Sequence, residues 1–318
     1  MTRTRAIMDQ QDFITRFAPS PNGRLHLGHA YSACLAHDMA KQRDGQFILR
    51  IEDIDIGRSR DHFREAIFDD LNWLGLDWST PVIQQSKRFG IYKAALTRLN
   101  DMGVIYPCWA TRAEIRAHID ALPGGIKHWP RDPDGAPIYP KLYSDISEHE
   151  RRDHMWEGRD YAWRLNIEKL QLMAETINGG PLFFREVDLL NQNECETIKV
   201  DARAFGDVII ARKDIPTSYH LSVVIDDDAQ NITQVIRGQD LKAATHIHRL
   251  LQSVLDLKVP HYHHHPLLYW SGGRRLSKTA GDIGFRSMLG DSAKAAQIRA
   301  LLPPPIGHGA FDQKIEIK

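Results

Sequence analysis

The stretch Phe13-Ile14-Thr15-Arg16-Phe17-Ala18-Pro19-Ser20-Pro21-Asn22-Gly23-Arg24-Leu25-His26-Leu27-Gly28-His29 decides how this chain is read. Phe13 to Phe17 is a short run of β type, with apolar and polar residues partly alternating. Pro19, Pro21 and Gly23 then break regular structure and force a turn. From about His29 the pattern turns helical, with Ala30, Ala33, Cys34, Ala36, His37 and Ala40 in a good helix-forming segment. Strand, tight loop and helix start together make an anion-binding arrangement, because the free N–H groups and the positive end of the helix dipole face the loop. His26 and His29 are three apart and project to one side, where they can donate to phosphate oxygens. Gly28 between them has no Cβ and lets a flat ring approach the backbone. The stretch is neither a GxGxxG fingerprint nor a GxxxxGK[ST] loop, which argues against a dinucleotide enzyme and a P-loop ATPase.

A second motif lies far downstream. Tyr269 to Gly281 reads as a strand end running into a loop, with Gly272, Gly273 and Gly281 as hinges. Arg274, Arg275 and Lys278 gather three cations in five residues, beside Ser277. A mobile cationic loop suits nucleotidyl transfer, where charge builds on the departing pyrophosphate.

Between the motifs the pattern is α/β. Residues 12 to about 104 read as βαβα, with a helix over Ser59–Leu74 capped by Ser59 and another over Ser86–Met102 ending at Gly103. Residues 105 to 206 differ in composition, and Leu122 to Pro140 is a Pro- and Gly-rich excursion. After that, Val223–Asp226, Ile232–Ile236 and His261–Tyr269 read as strands and Ala243–Leu255 as a helix. The expected fold is a Rossmann-type parallel sheet split by an insertion domain. The expected division is 12–104 and 207–290 for the two halves of the catalytic domain, 105–206 for the insertion and 291–318 for a short C-terminal helix and tail.

The pair of motifs resembles the two ATP-handling motifs of class I aminoacyl-tRNA synthetases. Four further segments resemble the glutamyl branch: Arg16 to Pro21, Ile48 to Asp55, Tyr219 to Asp227 and Ile232 to Leu241. The resemblance implies that His26, His29 and Lys278 are catalytic. It implies that Pro19, Gly28, His29, Arg275, Ser277 and Lys278 bind ATP, with Mg²⁺ accompanying the nucleotide. Arg275 stands where the family more often has Lys. L-glutamate is implied to meet Arg16, Ser20, Glu52, Tyr219 and Arg237, with Glu52 on the α-ammonium and Tyr219 and Arg237 around the side chain. An arginine fork suits a γ-carboxylate, and an amide in its place would set donors against donors.

Only about forty residues follow Lys278, too few for a helical anticodon-binding domain. That shortness is similar to the glutamyl-queuosine tRNA(Asp) synthetases, and implies queuosine in the anticodon loop of tRNA(Asp) as the acceptor. A tRNA(Glu)-charging truncated synthetase and a catalytically silent paralogue that binds glutamate or RNA are the alternatives. Zinc-bearing relatives carry Cys-x-Cys and then Tyr-x-x-x-Cys. Here the matching positions read Cys108-Trp109-Ala110 and Tyr139 to Tyr143, so structural zinc is expected to be absent, with His118 and His128 the only substitutes in view. His261, His263 and His265 share a strand face, but Pro266 and the lack of nearby acids favour a strand leading into a loop.

The 318 residues allow two domains, and 41 basic against 41 acidic residues give no overall bias toward nucleic acid. There is no apolar run of membrane-spanning length, and Cys34, Cys108 and Cys195 form no CxxC pair. The expectation is a cytoplasmic monomer with no membrane partner.

Overall fold

The structure is a computed structural model and describes residues 12–189, 194–270, 284–288, 295–302 and 315–317. Its first half runs β1 (Ile14–Phe17), α1 (Leu27–Lys41), β2 (Gln46–Ile51), α2 (Asp61–Trp73), β3 (Ser79–Gln84) and α3 (Phe89–Asp101), with β1, β2 and β3 parallel and in that order. The second helix starts two residues later than expected. Its N-cap is Arg60, and the Ser59 hydroxyl instead donates to the Asp55 carbonyl.

The chain then leaves the sheet. The strands β4 (Ile105–Cys108), β5 (Ala162–Leu165) and β8 (Ile209–Arg212) form a separate antiparallel sheet. The helices α4 (Arg112–Asp120), α5 (Gly125–His128) and α6 (Glu148–Trp156) lie in the loop between β4 and β5. Next come α7 (Ile167–Asn178), β6 (Phe183–Asp188) and β7 (Glu194–Lys199). Although they fall within the 105–206 range, β6 and β7 do not join the small sheet. They form a hairpin whose β6 pairs in parallel with β10 (His261–His265) of the second half.

The remaining elements are α8 (Tyr219–Ala229), β9 (Gln234–Gly238), α9 (Ala244–Leu255), β11 (Leu268–Trp270), α10 (Ala295–Leu301) and β12 (Ile315–Ile317). The order β7-β6-β10-β9 completes the second half-sheet, while β11 pairs with β12. Thr233 joins the halves: its N–H donates to the Ile14 carbonyl, its hydroxyl accepts from the Ile14 N–H, and its carbonyl accepts from His261.

Two expectations fail here. Val223–Asp226 is the buried middle of helix α8, not a strand. Its β-branched run is compatible with either state, and a helix buried on most sides shows no polar stripe to give it away. The strand expected over His261–Tyr269 is two strands, because Pro266 has no N–H to continue the ladder.

Side-chain alternation sorts the sheet into two faces. Phe13, Phe17, Leu49 and Ile51 pack with α1 and α2 in one core, while Ile14, Ile48, Val235 and Tyr262 pack with α3, α7, α8 and α9 in the other. The same parity puts Arg16 and Arg50 on the α8 side of β1 and β2, and Arg237 and His264 on that side of β9 and β10. These are polar residues in core positions, and each needs a partner.

Candidate active site

At the mouth between the half-sheets, a cavity of about 380 Å³ is lined by residues from both. Arg16, Pro19, Ser20, His26, Gly28, His29 and Glu52 come from the first half, and Tyr219 and Arg237 from the second. All the sequence-predicted site residues within the described part therefore border one space. Arg275, Ser277 and Lys278 lie outside the described residues.

The start of α1 forms one wall. His26 is the N-cap, and its Nδ1 accepts from the Gly28 N–H at 3.1 Å. His29 is the third helical residue, and its Nδ1 accepts from the His26 N–H at 3.2 Å. This is a capping box built from two imidazoles, with ring centroids 3.7 Å apart. An imidazole whose Nδ1 accepts carries its proton on Nε2, so Nε2 is the donor nitrogen of each ring. The ring that approaches Gly28 is the His26 imidazole itself: a Cβ there would lie 3.0 Å from its Cε1.

The opposite wall is ionic. Arg16 Nε donates to Asp227 Oδ1 at 3.1 Å, Arg50 Nη1 donates to the same oxygen at 2.8 Å, and Arg50 Nη2 donates to Glu52 Oε1 at 3.2 Å. Arg16, Asp227, Arg50 and Glu52 thus form one chain of alternating charge. Arg50 has no exposed surface. Burial alone would discharge it, but Asp227, Glu52 and Asp226 hold it charged. Burial also acts to raise the Asp227 carboxyl, and Arg16 and Arg50 outweigh it, leaving the group below its ordinary range. Glu52 goes the other way: burial raises it, against Arg50 and Arg16. A ligand ammonium beside Glu52 would add a further opposite charge to those of Arg50 and Arg16. Asp227 and Arg50 were not singled out in the sequence, although the run Asp226-Asp227-Asp228 directly after apolar Val223-Val224-Ile225 was a signal for Asp227.

Arg237 projects from β9 beside α8 and α9. Its Nη1 donates to the Tyr219 hydroxyl at 3.0 Å, and Nη2 donates to Thr245 Oγ1 at 2.7 Å and to the Leu241 carbonyl at 3.1 Å. Burial and the Glu52 charge raise the Tyr219 phenol, with Arg237 opposing.

Away from the cavity, Cys108, Tyr139 and Tyr143 do meet. The Cys108 thiol donates to Tyr139 Oη at 3.2 Å, the Arg164 guanidinium lies 3.7 Å over the Tyr139 ring, and Tyr143 packs edge-on to Trp109. These residues thus belong to one aromatic cluster. His118 is exposed on α4, and the His128 ring bonds the Gly124 carbonyl. Among the described residues, no group of three or more His, Cys, Asp or Glu could hold a metal ion. No protein cage for Mg²⁺ is therefore offered among the described residues.

A histidine-capped helix start and a fixed set of charges bordering one cavity in a split parallel sheet match the plan of an amino-acid-activating enzyme of class I type. The family model "tRNA synthetases class I (E and Q), catalytic domain" matches residues 12–293, and the chain belongs to that family. It is 42% identical over 291 residues to the glutamyl-Q tRNA(Asp) synthetase of Rhodobacter capsulatus, a match covering 91% of this chain and 99% of that protein. The Nocardia farcinica protein of the same name is 36% identical over 92% of this chain and 84% of its own length. A glutamate–tRNA ligase of Synechococcus sp. (strain RCC307) is 34% identical, and there the match covers only 59% of the relative. The glutamate-tRNA synthetase structure from Elizabethkingia anophelis superposes with a TM-score of 0.67 at 25% identity, covering 86% of this chain and 54% of that one. The chain therefore spans about half the length of the solved structures it matches.

Proposed function

We propose that this protein activates L-glutamate with ATP and transfers the glutamyl group to queuosine in the anticodon loop of tRNA(Asp). The observation that carries this reading is the shared cavity, which the histidine-capped helix start borders together with Arg16 and Glu52, the two ends of the Arg16–Asp227–Arg50–Glu52 chain. The match to the glutamyl-Q tRNA(Asp) synthetase over nearly that protein's whole length supports the choice of acceptor.

In this reading Glu52 takes the α-ammonium, Arg16 and Ser20 contact the amino acid, and Tyr219, held in place by Arg237, lines the pocket for its side chain. The α-carboxylate oxygen attacks the α-phosphorus of ATP. A new O–P bond forms, the bond to the β-phosphate bridge breaks, and pyrophosphate leaves. His26 and His29 donate to the phosphate oxygens from Nε2, with Pro19 and Gly28 shaping the nucleotide's bed. Arg275, Ser277 and Lys278 neutralise the leaving group. A queuosine hydroxyl then attacks the adenylate carbonyl and AMP departs. Catalysis rests on positioning and charge, with no obligatory protein base.

We further propose that the sheet β4-β5-β8 and helices α4 to α6 form the insertion, with the β6–β7 hairpin assigned to the catalytic sheet. The three cysteines are unpaired, which supports a reducing compartment such as the cytoplasm, where we place the protein as a monomer; no described helix is long and apolar enough to cross a membrane. The test is transfer of labelled glutamate to tRNA(Asp) with and without queuosine. Label on the modified RNA alone supports the reading. Label on the 3′ end of tRNA(Glu) replaces it with the charging alternative.

A further inference from the structure

The run His261–His265 has a function the sequence did not disclose. His263 and His265 turn toward α1: His265 Nε2 meets the Ser32 hydroxyl at 2.7 Å, and His263 Nδ1 meets the Val187 carbonyl at 3.0 Å. His264 faces the other way, toward Arg237. An acid is nearby in space although not in sequence, since Glu186 on the adjacent β6 is wholly buried behind His264. Glu186 Oε1 accepts from the His264 backbone N–H at 2.8 Å, and Oε2 lies 2.7 Å from His264 Nδ1. Arg237 Nε donates to His264 Nε2 at 3.1 Å.

These contacts admit one arrangement of protons. A guanidinium only donates, so His264 Nε2 must present a lone pair. The ring's proton is then on Nδ1, where the Glu186 carboxylate receives it. His248 repeats the logic on the next nitrogen. Its Nδ1 lies 3.4 Å from Arg237 Nη1, and its Nε2 passes the bond on to His220 Nδ1 at 3.2 Å. With Tyr219, Thr245 and the Leu241 carbonyl, all five Arg237 N–H groups have acceptors within the protein.

We propose that Glu186 and His264 are a positioning dyad that fixes the Arg237 guanidinium and so sets the preference for glutamate over glutamine. The link runs through Tyr219. Its hydroxyl oxygen accepts from Arg237, which turns its own hydrogen toward the cavity that it lines. Between Tyr219 and Arg16 the cavity then offers the Tyr219 O–H and the terminal N–H groups of Arg16 as donors, with Glu52 left for the ammonium. A γ-carboxylate accepts all of them, whereas an amide turns one donor against another. His264 stays neutral, since burial and then the Arg237 charge hold it well below the ordinary histidine range. This inference rests on the glutamate-activating reading given above.

Glu186→Gln tests it, because the change is isosteric and converts one of two acceptors into a donor. Either the backbone bond is lost, or His264 adopts the tautomer that points N–H at N–H. In glutamate-dependent ATP–pyrophosphate exchange, KM for glutamate should rise about tenfold or more while KM for ATP stays within about twofold, and the glutamate-to-glutamine ratio of kcat/KM should fall about tenfold, the size expected for a mis-set charged hydrogen bond. An unchanged KM and ratio would overturn the dyad. So would a kcat loss shared equally by both amino acids, which is the signature of a smaller folded fraction. If the variant does not fold, nitrogen-15 histidine spectra of the unsubstituted protein decide, with His264→Gln for assignment: a neutral ring protonated on Nδ1 supports the dyad, and protonation on Nε2 or on both nitrogens refutes it. Lack of glutamate exchange in the unsubstituted protein is a different failure, and would remove the glutamate reading together with this proposal.

Discussion

Asp227 holds two arginines with one oxygen, and that makes it the most exposed point of the site to substitution. Asp227→Asn would leave the fully buried Arg50 facing a neutral amide and release the Arg16 side chain. Breaking one partner of a buried pair costs about 3–5 kcal/mol, because the surviving charge stays desolvated. We expect a loss of that order in urea unfolding, and a rise of at least about tenfold in KM for glutamate in the fraction that folds. A neutral effect on both would show that the charge chain is dispensable. Gly28 is the second sensitive position. Gly28→Ala brings a methyl within about 3 Å of the His26 ring, so the imidazole must tilt off the helix start. KM for ATP should rise with KM for glutamate nearly unchanged, and steady-state kinetics with each substrate varied separates the two.

At the scale of the element, the start of α1 is capped by the same two side chains, His26 and His29, that we propose meet the phosphates. His26→Ala removes the cap that accepts from the Gly28 N–H, and should lower stability by roughly 0.5–2 kcal/mol in thermal unfolding. His26→Asn restores a cap without the imidazole donor, so it should recover stability but not exchange activity. Recovery of both would reduce His26 to a structural role. The strand-loop-helix start was legible because Pro19, Pro21 and Gly23 punctuate it and His26 to His29 span less than one turn. Helix α8 was not. Its Val223-Val224-Ile225 run is buried and carries no helical stripe, and only the tertiary fold makes it a helix. The hairpin β6–β7 was lost for a related reason, since its assignment depends on pairing with β10, some eighty residues away. The dyad was hidden likewise: a sequence shows that His264 alternates away from His263 and His265, but not that Glu186 lies across the ladder.

Taken whole, the molecule buries an unusual set of neutral histidines around its cavity. Burial pushes His220 and His265 down to about 4, and drives His248 and His264 well below the ordinary value. In the unfolded chain these groups take up protons near pH 6.5, while the folded protein resists until about pH 4. Stability should therefore fall as pH drops through that window. His37 acts in the opposite sense. Its bond to Asp38, together with one to Asp77, outweighs burial and raises it, so its contribution is complete below about pH 6.5 and fades as pH rises. His246 and His261 are lowered by burial as well, so one raised histidine stands against six lowered ones, and the urea midpoint at pH 5 should lie clearly below that at pH 7. Equal midpoints would show that the buried rings are not neutral. The central claim is that this single cavity activates glutamate. Its most direct test is ATP–pyrophosphate exchange without RNA, with glutamate, glutamine and aspartate compared at equal concentration. The account predicts exchange with glutamate alone, and exchange absent with glutamate or equal with glutamine would contradict it.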